Sequence, residues 1–291
     1  MGMVMKEYKN YIFDLYGTLL DISTDERKPS LWKLLAEQFN VYGCNWTGKA
    51  LSEAFWREDF EERQRYRREK KTEHPEIKLE NVFARLFFET PGSHKSAAII
   101  GETPVDELRG MYAGKDKEKA LKIVAESEFI FCMLNLFRVH SRKLMRPYKN
   151  TISTLEKLKA DGKGVYLLSN AQRVFTYPEI EQSGILPYFD AIYISSDLEM
   201  MKPQKEFMEA LLKGEKLKKS ECVMVGNDPD SDFRVAVRNG MDCILLNTWD
   251  WSSQKIKKIT SEIIKAEGAD KKLAPQVIMS GDIGEILYKD K

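Results

Sequence analysis

The chain has no charge imbalance: Lys plus Arg number 46 against 45 Asp plus Glu over 291 residues. It therefore lacks the global field that would gather nucleic acid or an anionic membrane surface, and a substrate must be recognised locally. Cysteine is scarce and scattered. Cys44, Cys132, Cys222 and Cys243 show no C-x-x-C spacing, which argues against a zinc ribbon or a disulfide framework and leaves four reduced thiols. Long apolar runs are missing as well. The opening MGMVMKEYKNYIFDLYG sets Lys6 and Lys9 before a run too short for a signal peptide or a membrane span. The expectation is a cytoplasmic protein with a small-molecule substrate and with neither nucleic acid nor membrane as partner. Internal repeats and low-complexity tracts are also absent, and oligomeric state has no signature.

What is present divides by pattern. Tyr11-Ile12-Phe13-Asp14 is a β-rich run that ends in a carboxylate and meets Gly17, a buried strand entering a turn. From about 25 to 146 the pattern is charged and helical in period, over residues 30–39, 48–71, 79–88 and 117–142, with no strand evident. The basic run at 63–71, RQRYRREKK, follows acidic residues on one expected helix and reads as a solvated face. From Tyr148 onward, helices alternate with β-rich runs at 164–168, 191–195, 222–225, 243–246 and, more weakly, 277–279. That is the alternation of a parallel sheet with covering helices. The expected fold is α/β, with a doubly wound parallel-sheet (Rossmann-like) core over 1–22 and 147–291 and an inserted all-α helical cap over 23–146. Ligands of such sheets bind at the carboxyl ends of strands, which puts Asp14, Ser169 and the loop after Val225 in one crevice. Hinges near Thr24 and Pro147 would let a cap close over it.

A carboxylate at a strand end, followed by a glycine turn with free backbone N–H groups, can attack an electrophile while those N–H groups hold the developing anion. Asp14 is that carboxylate. Directly after Tyr-Ile-Phe it has no cationic neighbour in sequence, an unusual place for an Asp that only caps a turn. Thr18 would hold the loop through its hydroxyl. Ser169, after Val165-Tyr166-Leu167-Leu168, brings a hydroxyl to the upper edge of the sheet, with Asn170 as a second donor for a phosphoryl or carboxylate oxygen. Lys202 stands before Pro203 at a helix start, where the helix dipole disfavours a cation, so its place there points to function.

Taken in order, Asp14-Leu15-Tyr16-Gly17-Thr18-Leu19, Ser169-Asn170, Lys202-Pro203 and the acidic loop after Val225-Gly226 resemble the four motifs of the haloacid-dehalogenase-like superfamily. The resemblance covers 11–20 and 148 to about 246; the insertion is similar only in being helical and placed as a cap. It implies a hydrolase in which Asp14 is the nucleophile of an aspartyl intermediate and Lys202 neutralises charge on the nucleophile and the transferring group. The loop Gly226-Asn227-Asp228-Pro229-Asp230-Ser231-Asp232 sets three carboxylates within five residues, which repel one another unless a cation is near or they face water. Mg²⁺ on Asp14, the backbone carbonyl of Tyr16 and a loop carboxylate, Asp228 or Asp232, answers that need. Whether Asn227 ligates through its amide oxygen or Asp228 replaces it stays open. Asp230 or Ser231 capping the following helix is compatible with either.

Phosphatases of this family carry a second Asp, a general acid, two residues after the nucleophile, where this chain has Tyr16. Tyrosine there is the pattern of the metal-independent 2-haloacid dehalogenases. Phe55-Trp56-Arg57 resembles the segment that holds their halide-binding arginine, which makes Arg57 a candidate substrate contact. Conversely, dehalogenases have a tyrosine six residues after the motif lysine, where this chain has Met208, and a single Asp in the fourth motif, where it has Asp228, Asp230 and Asp232. General acid catalysis contributes about 10²–10⁴-fold, so its loss slows poor leaving groups without forbidding activated ones. The expected activity is Mg²⁺-dependent hydrolysis of a small phosphorylated metabolite. A 2-haloacid dehalogenase comes second, and a catalytically weak phosphate-binding protein third.

Overall fold

Along the first strand, β1 (Asn10–Phe13), side chains alternate between two apolar clusters: Tyr11 and Phe13 enter one, Ile12 the other. A strand covered on both faces needs this unbroken apolar run, because neither side is left for water. The computed structural model describes residues 6–287. After β1 and β2 (Leu20–Thr24) the chain forms helices α1 (Pro29–Val41), α2 (Gly48–Lys70) and α3 (Leu79–Phe88). A small hairpin of β3 (Ile99–Ile100) and β4 (Thr103–Pro104) leads to α4 (Val105–Ala113), α5 (Lys117–Ala125) and α6 (Glu128–Ser141), and β5 (Arg142–Pro147) returns. Then α7 (Thr151–Ala160), β6 (Gly164–Ser169), α8 (Arg173–Gln182), β7 (Ala191–Ile194), the short α9 (Ser195–Leu198) and α10 (Lys205–Gly214) follow. The last elements are β8 (Cys222–Gly226), α11 (Arg234–Asn239), β9 (Asp242–Leu246), α12 (Ser253–Ala266) and β10 (Gln276–Ile278). Two compact units result, one running to Ile22 and resuming at Leu144, the other Ser23–Lys143.

In the first unit six strands pair in parallel in the order β10-β9-β8-β1-β6-β7. Leu155 and Leu158 of α7 and Ile180 of α8 fill one side of the sheet. Phe207, Met208 and Leu211 of α10, Val235 to Val237 of α11 and Ile256, Ile263 and Ile264 of α12 fill the other. This is the expected doubly wound α/β core. Register fixes the active end: Phe13 pairs with Leu167 of β6 and with Val225 of β8. Asp14 therefore emerges between the carboxyl ends of two neighbouring strands, and its N–H donates to the Val225 carbonyl at 2.9 Å.

The second unit is helical, with one ring from each of four helices at its centre. Phe55 of α2 lies 5.0 Å from Trp32 of α1, 5.8 Å from Phe83 of α3 and 5.5 Å from Phe137 of α6, centroid to centroid. Each such pair adds about 0.5–1.5 kcal/mol beyond the area it buries. On the basic run of α2, Arg63 pairs with Asp59 and Arg65 with Glu62. The expectation of an all-α insertion needs correcting for the β3–β4 hairpin, and for β2 and β5, which pair where the chain leaves and rejoins the core. The single helix expected over 117–142 is two, because the Ser127 hydroxyl accepts the Ile130 N–H at 3.3 Å and starts α6 afresh. Among the described residues no helix is long and apolar enough to cross a membrane. All four cysteines are free.

Candidate active site

The turn after β1 is tight. Leu19 and Leu20 both donate N–H to the Leu15 carbonyl, Thr18 reaches it at 3.3 Å, and Gly17 N–H donates to the Leu20 carbonyl at 2.8 Å. The N–H groups of residues 17–20 are thus taken up inside the turn, while the Leu15 N–H is directed at the Asp14 carboxylate. Gly17 has φ +84°, in the left-handed region, and a Cβ there would overlap the Asn227 amide. Across the sheet, Gly226 ends β8, and a Cβ at that position would collide with the Asp232 carboxylate. These two glycines let the first and fourth motifs approach.

Asp14 and Lys202 are both buried, and Asp232 is fully so. Lys202 Nζ donates to Asp14 Oδ1 at 2.7 Å and to Asp232 Oδ1 at 2.6 Å. Burial opposes the charge on the lysine, but the two carboxylates outweigh it and raise its pKa. Burial raises the Asp14 pKa to about 6; Lys202 pulls it down and Asp232 pushes it up. Asp228 is raised by its own burial and by Asp232. Two carboxylates thus share one lysine and a third, Asp228, repels Asp232 from the loop side, leaving negative charge uncompensated.

The fourth-motif loop sorts these carboxylates. Asp232 Oδ2 accepts the N–H groups of Asn227 and Asp228, each at 3.0 Å, while its Oδ1 holds Lys202, so both oxygens are committed. Asp228 caps the next turn, accepting from the Asp230 N–H at 2.9 Å and the Ser231 hydroxyl at 3.0 Å. The cap is therefore Asp228 and not Asp230 or Ser231, since Pro229 opens the turn one residue after it. Asn227 Oδ1 is brought toward Asp14: the Thr18 hydroxyl sits 3.2 Å from Asp14 Oδ2 and 3.3 Å from Asn227 Oδ1. Among the described residues no three His, Cys, Asp or Glu side chains converge to hold an ion by themselves. A cation here would draw on amide and backbone oxygens and on water, as Mg²⁺ commonly does.

Ser169, at the end of β6, is buried with its Oγ lacking any hydrogen-bond partner. Such an orphan hydroxyl at the carboxyl edge of the sheet suits a ligand oxygen. Asn170 is differently engaged. It donates from Nδ2 to the Lys202 carbonyl at 2.9 Å and accepts the Lys202 N–H on Oδ1 at 2.7 Å, so its amide fixes the lysine's backbone. Tyr16 turns its hydroxyl to α8, onto Glu179 Oε2 at 2.5 Å, with Thr176 Oγ1 at 3.0 Å. Arg57 lies exposed on α2 of the helical unit, its guanidinium on Glu58. Three residues escaped sequence reasoning. Thr248, whose hydroxyl donates to the Gly17 carbonyl at 2.7 Å and accepts from Asn227 Nδ2 at 3.2 Å, ties the loop after β9 to both motifs. Its place just past a strand's carboxyl end was the available signal. Glu179 and Thr176 had none.

A family model described as haloacid dehalogenase-like hydrolase matches residues 8–240. Over 128 residues the chain is 30% identical to a glyceraldehyde 3-phosphate phosphatase of Methanothermobacter thermautotrophicus, covering 43% of this chain and 57% of that protein. A protein of the same name from Methanocaldococcus jannaschii is 36% identical over 98 residues, or 34% of this chain and 43% of the relative. The chain thus spans about half the length of these curated relatives. The crystal structure of a 2-haloacid dehalogenase from Pseudomonas syringae superposes with a TM-score of 0.57 at 21% identity, covering 96% and 98% of the two chains, a likeness of fold.

Proposed function

From the premise that this chain belongs to the haloacid dehalogenase-like hydrolases, we propose that it is a Mg²⁺-dependent phosphatase of small phosphorylated metabolites. The observation that carries this reading is the surplus of negative charge. Asp14 and Asp232 share one lysine while Asp228 stands against Asp232 without a share in it, and burial together with repulsion from Asp232 raises the pKa of Asp14 and of Asp228. A halide-displacing enzyme needs a free nucleophile and gains nothing from crowding further carboxylates beside it, whereas a divalent cation relieves that repulsion. Asp14, the Tyr16 carbonyl and Asn227 Oδ1 would hold the ion, with Asp228 as the loop carboxylate still able to accept; Asp232 serves Lys202. Bound there, Mg²⁺ would offset charge on the phosphoryl oxygens. The two archaeal relatives are named phosphatases, which agrees with this reading.

The chain's own groups account for the rest. An Asp14 oxygen attacks phosphorus, the bond to the leaving oxygen breaks with its electron pair, and an aspartyl phosphate remains. Lys202 and the unpartnered Ser169 hydroxyl hold the phosphoryl oxygens. Water then attacks phosphorus, returning the Asp14 carboxylate and releasing inorganic phosphate and a proton. Thr18 and Asn170 fix the nucleophile and the lysine. Arg57 and the helical unit would supply substrate selection. The test is a panel of acyl, aryl and alkyl phosphates and 2-chloropropionate, each assayed with Mg²⁺ and with a chelator. Phosphate release that the chelator abolishes is expected; chloride release indifferent to the chelator would replace this reading with a dehalogenase.

A further inference from the structure

Resting on the phosphatase reading, the geometry points to Glu179 as a specificity-determining positioning residue that withholds the Tyr16 proton and confines the enzyme to activated phosphates, namely acyl phosphates and phosphoanhydrides. Tyr16 stands two residues after Asp14, where the phosphatases that the motif resembles carry their general acid. Its ring packs against the apolar cluster on one side of the sheet. Its hydroxyl is drawn onto Glu179 Oε2 at 2.5 Å, a distance typical of an O–H bound to a carboxylate, and lies 3.0 Å from Thr176 Oγ1. Glu179 is 2% exposed and Thr176 fully buried, three residues apart on one face of α8. The phenol is therefore fixed at both ends.

Giving that proton to a leaving oxygen would break the bond to Glu179 and set a phenolate against a buried carboxylate, two like charges in a medium that screens them poorly. The tyrosine is thereby silent as an acid. A leaving group must depart as its anion and take a proton from water afterwards. Carboxylates and phosphates, weakly basic, do this readily; an alkoxide does not.

The test compares kcat/KM with Mg²⁺ for acetyl phosphate, p-nitrophenyl phosphate, phenyl phosphate and glycerol phosphate in wild type, Glu179→Gln and Glu179→Leu. Wild type should fall steeply with leaving-group basicity, lacking the roughly 10²–10⁴-fold that a general acid adds for the alkyl ester. Glu179→Gln keeps an acceptor oxygen but removes the charge that opposes a phenolate, and should flatten that slope in part. Glu179→Leu frees the hydroxyl and should raise the glycerol-to-acetyl phosphate ratio about tenfold or more. Equal wild-type rates on alkyl and acyl phosphates overturn the inference, as does a Glu179→Leu enzyme that loses rate on every substrate alike. Should Glu179→Leu fail to fold, Tyr16→Phe decides: an unchanged slope supports the inference and a steeper one overturns it. Release of no phosphate from any substrate removes the phosphatase reading itself, a result distinct from phosphate released at equal rates.

Discussion

Lys202 is the charge around which this site is balanced, and substitutions beside it have opposite expected effects on turnover and on folding. Asp14→Asn is nearly isosteric, removes the nucleophile and leaves the lysine its bond to Asp232. Turnover should drop by about three orders of magnitude or more, with the thermal midpoint kept or raised. Retention of a tenth of the wild-type rate would remove Asp14 from the nucleophile's role. Metal binding should follow the Asp14 proton. With its pKa raised to about 6 by burial, this carboxyl is protonated below that pH and must lose the proton before Mg²⁺ can enter. Apparent affinity should weaken by about tenfold per pH unit below 6 and level off above it. Calorimetric titrations at pH 5 and pH 7.5 giving equal affinities would contradict this. Tyr16→Asp combined with Glu179→Gln, which restores a carboxylic acid without facing it with Glu179, should raise glycerol phosphate hydrolysis by about 10–100-fold over wild type in a phosphate-release assay.

At the scale of elements, the loop after β9 works as a strut. Thr248→Val keeps shape but deletes a hydroxyl that joins the Gly17 carbonyl to the Asn227 amide. A loss of about 1–3 kcal/mol in denaturant stability, together with a lower kcat, is expected, since both partners are left unsatisfied. The six core strands were legible in sequence because each is an apolar run bounded by turns. The place of Asp14 at a strand's carboxyl end was legible because a carboxylate closing such a run is rare. The two-residue strands β3 and β4 were not, being too short for any period to register. Nor was Glu179: helical spacing shows that a position faces inward but not which side chain it meets, and its partner lies 163 residues away. That Asn170 fixes the Lys202 backbone was not legible either, because the sequence shows its amide but not the groups that engage it.

Across the whole molecule, two separate apolar centres imply two separate sources of stability. Residues 23–143 made alone should give a helical circular dichroism spectrum and a cooperative melt, resting on the rings of Trp32, Phe55, Phe83 and Phe137. Phe55→Ala in that fragment should cost about 3–5 kcal/mol, and a spectrum without helix in the parent fragment would show that its core does not suffice. The order of strands in the sheet has a consequence for biosynthesis. β1 is synthesised before both of its neighbours, β6 and β8, which are encoded far downstream with the helical unit intervening. Throughout that interval the segment that ends at Asp14 is an apolar ribbon with both edges bare, exposed to proteases and to other nascent chains until residue 226 has emerged. Shielding of that ribbon during synthesis should therefore bear on the yield of folded protein, as well as the stability of the finished fold.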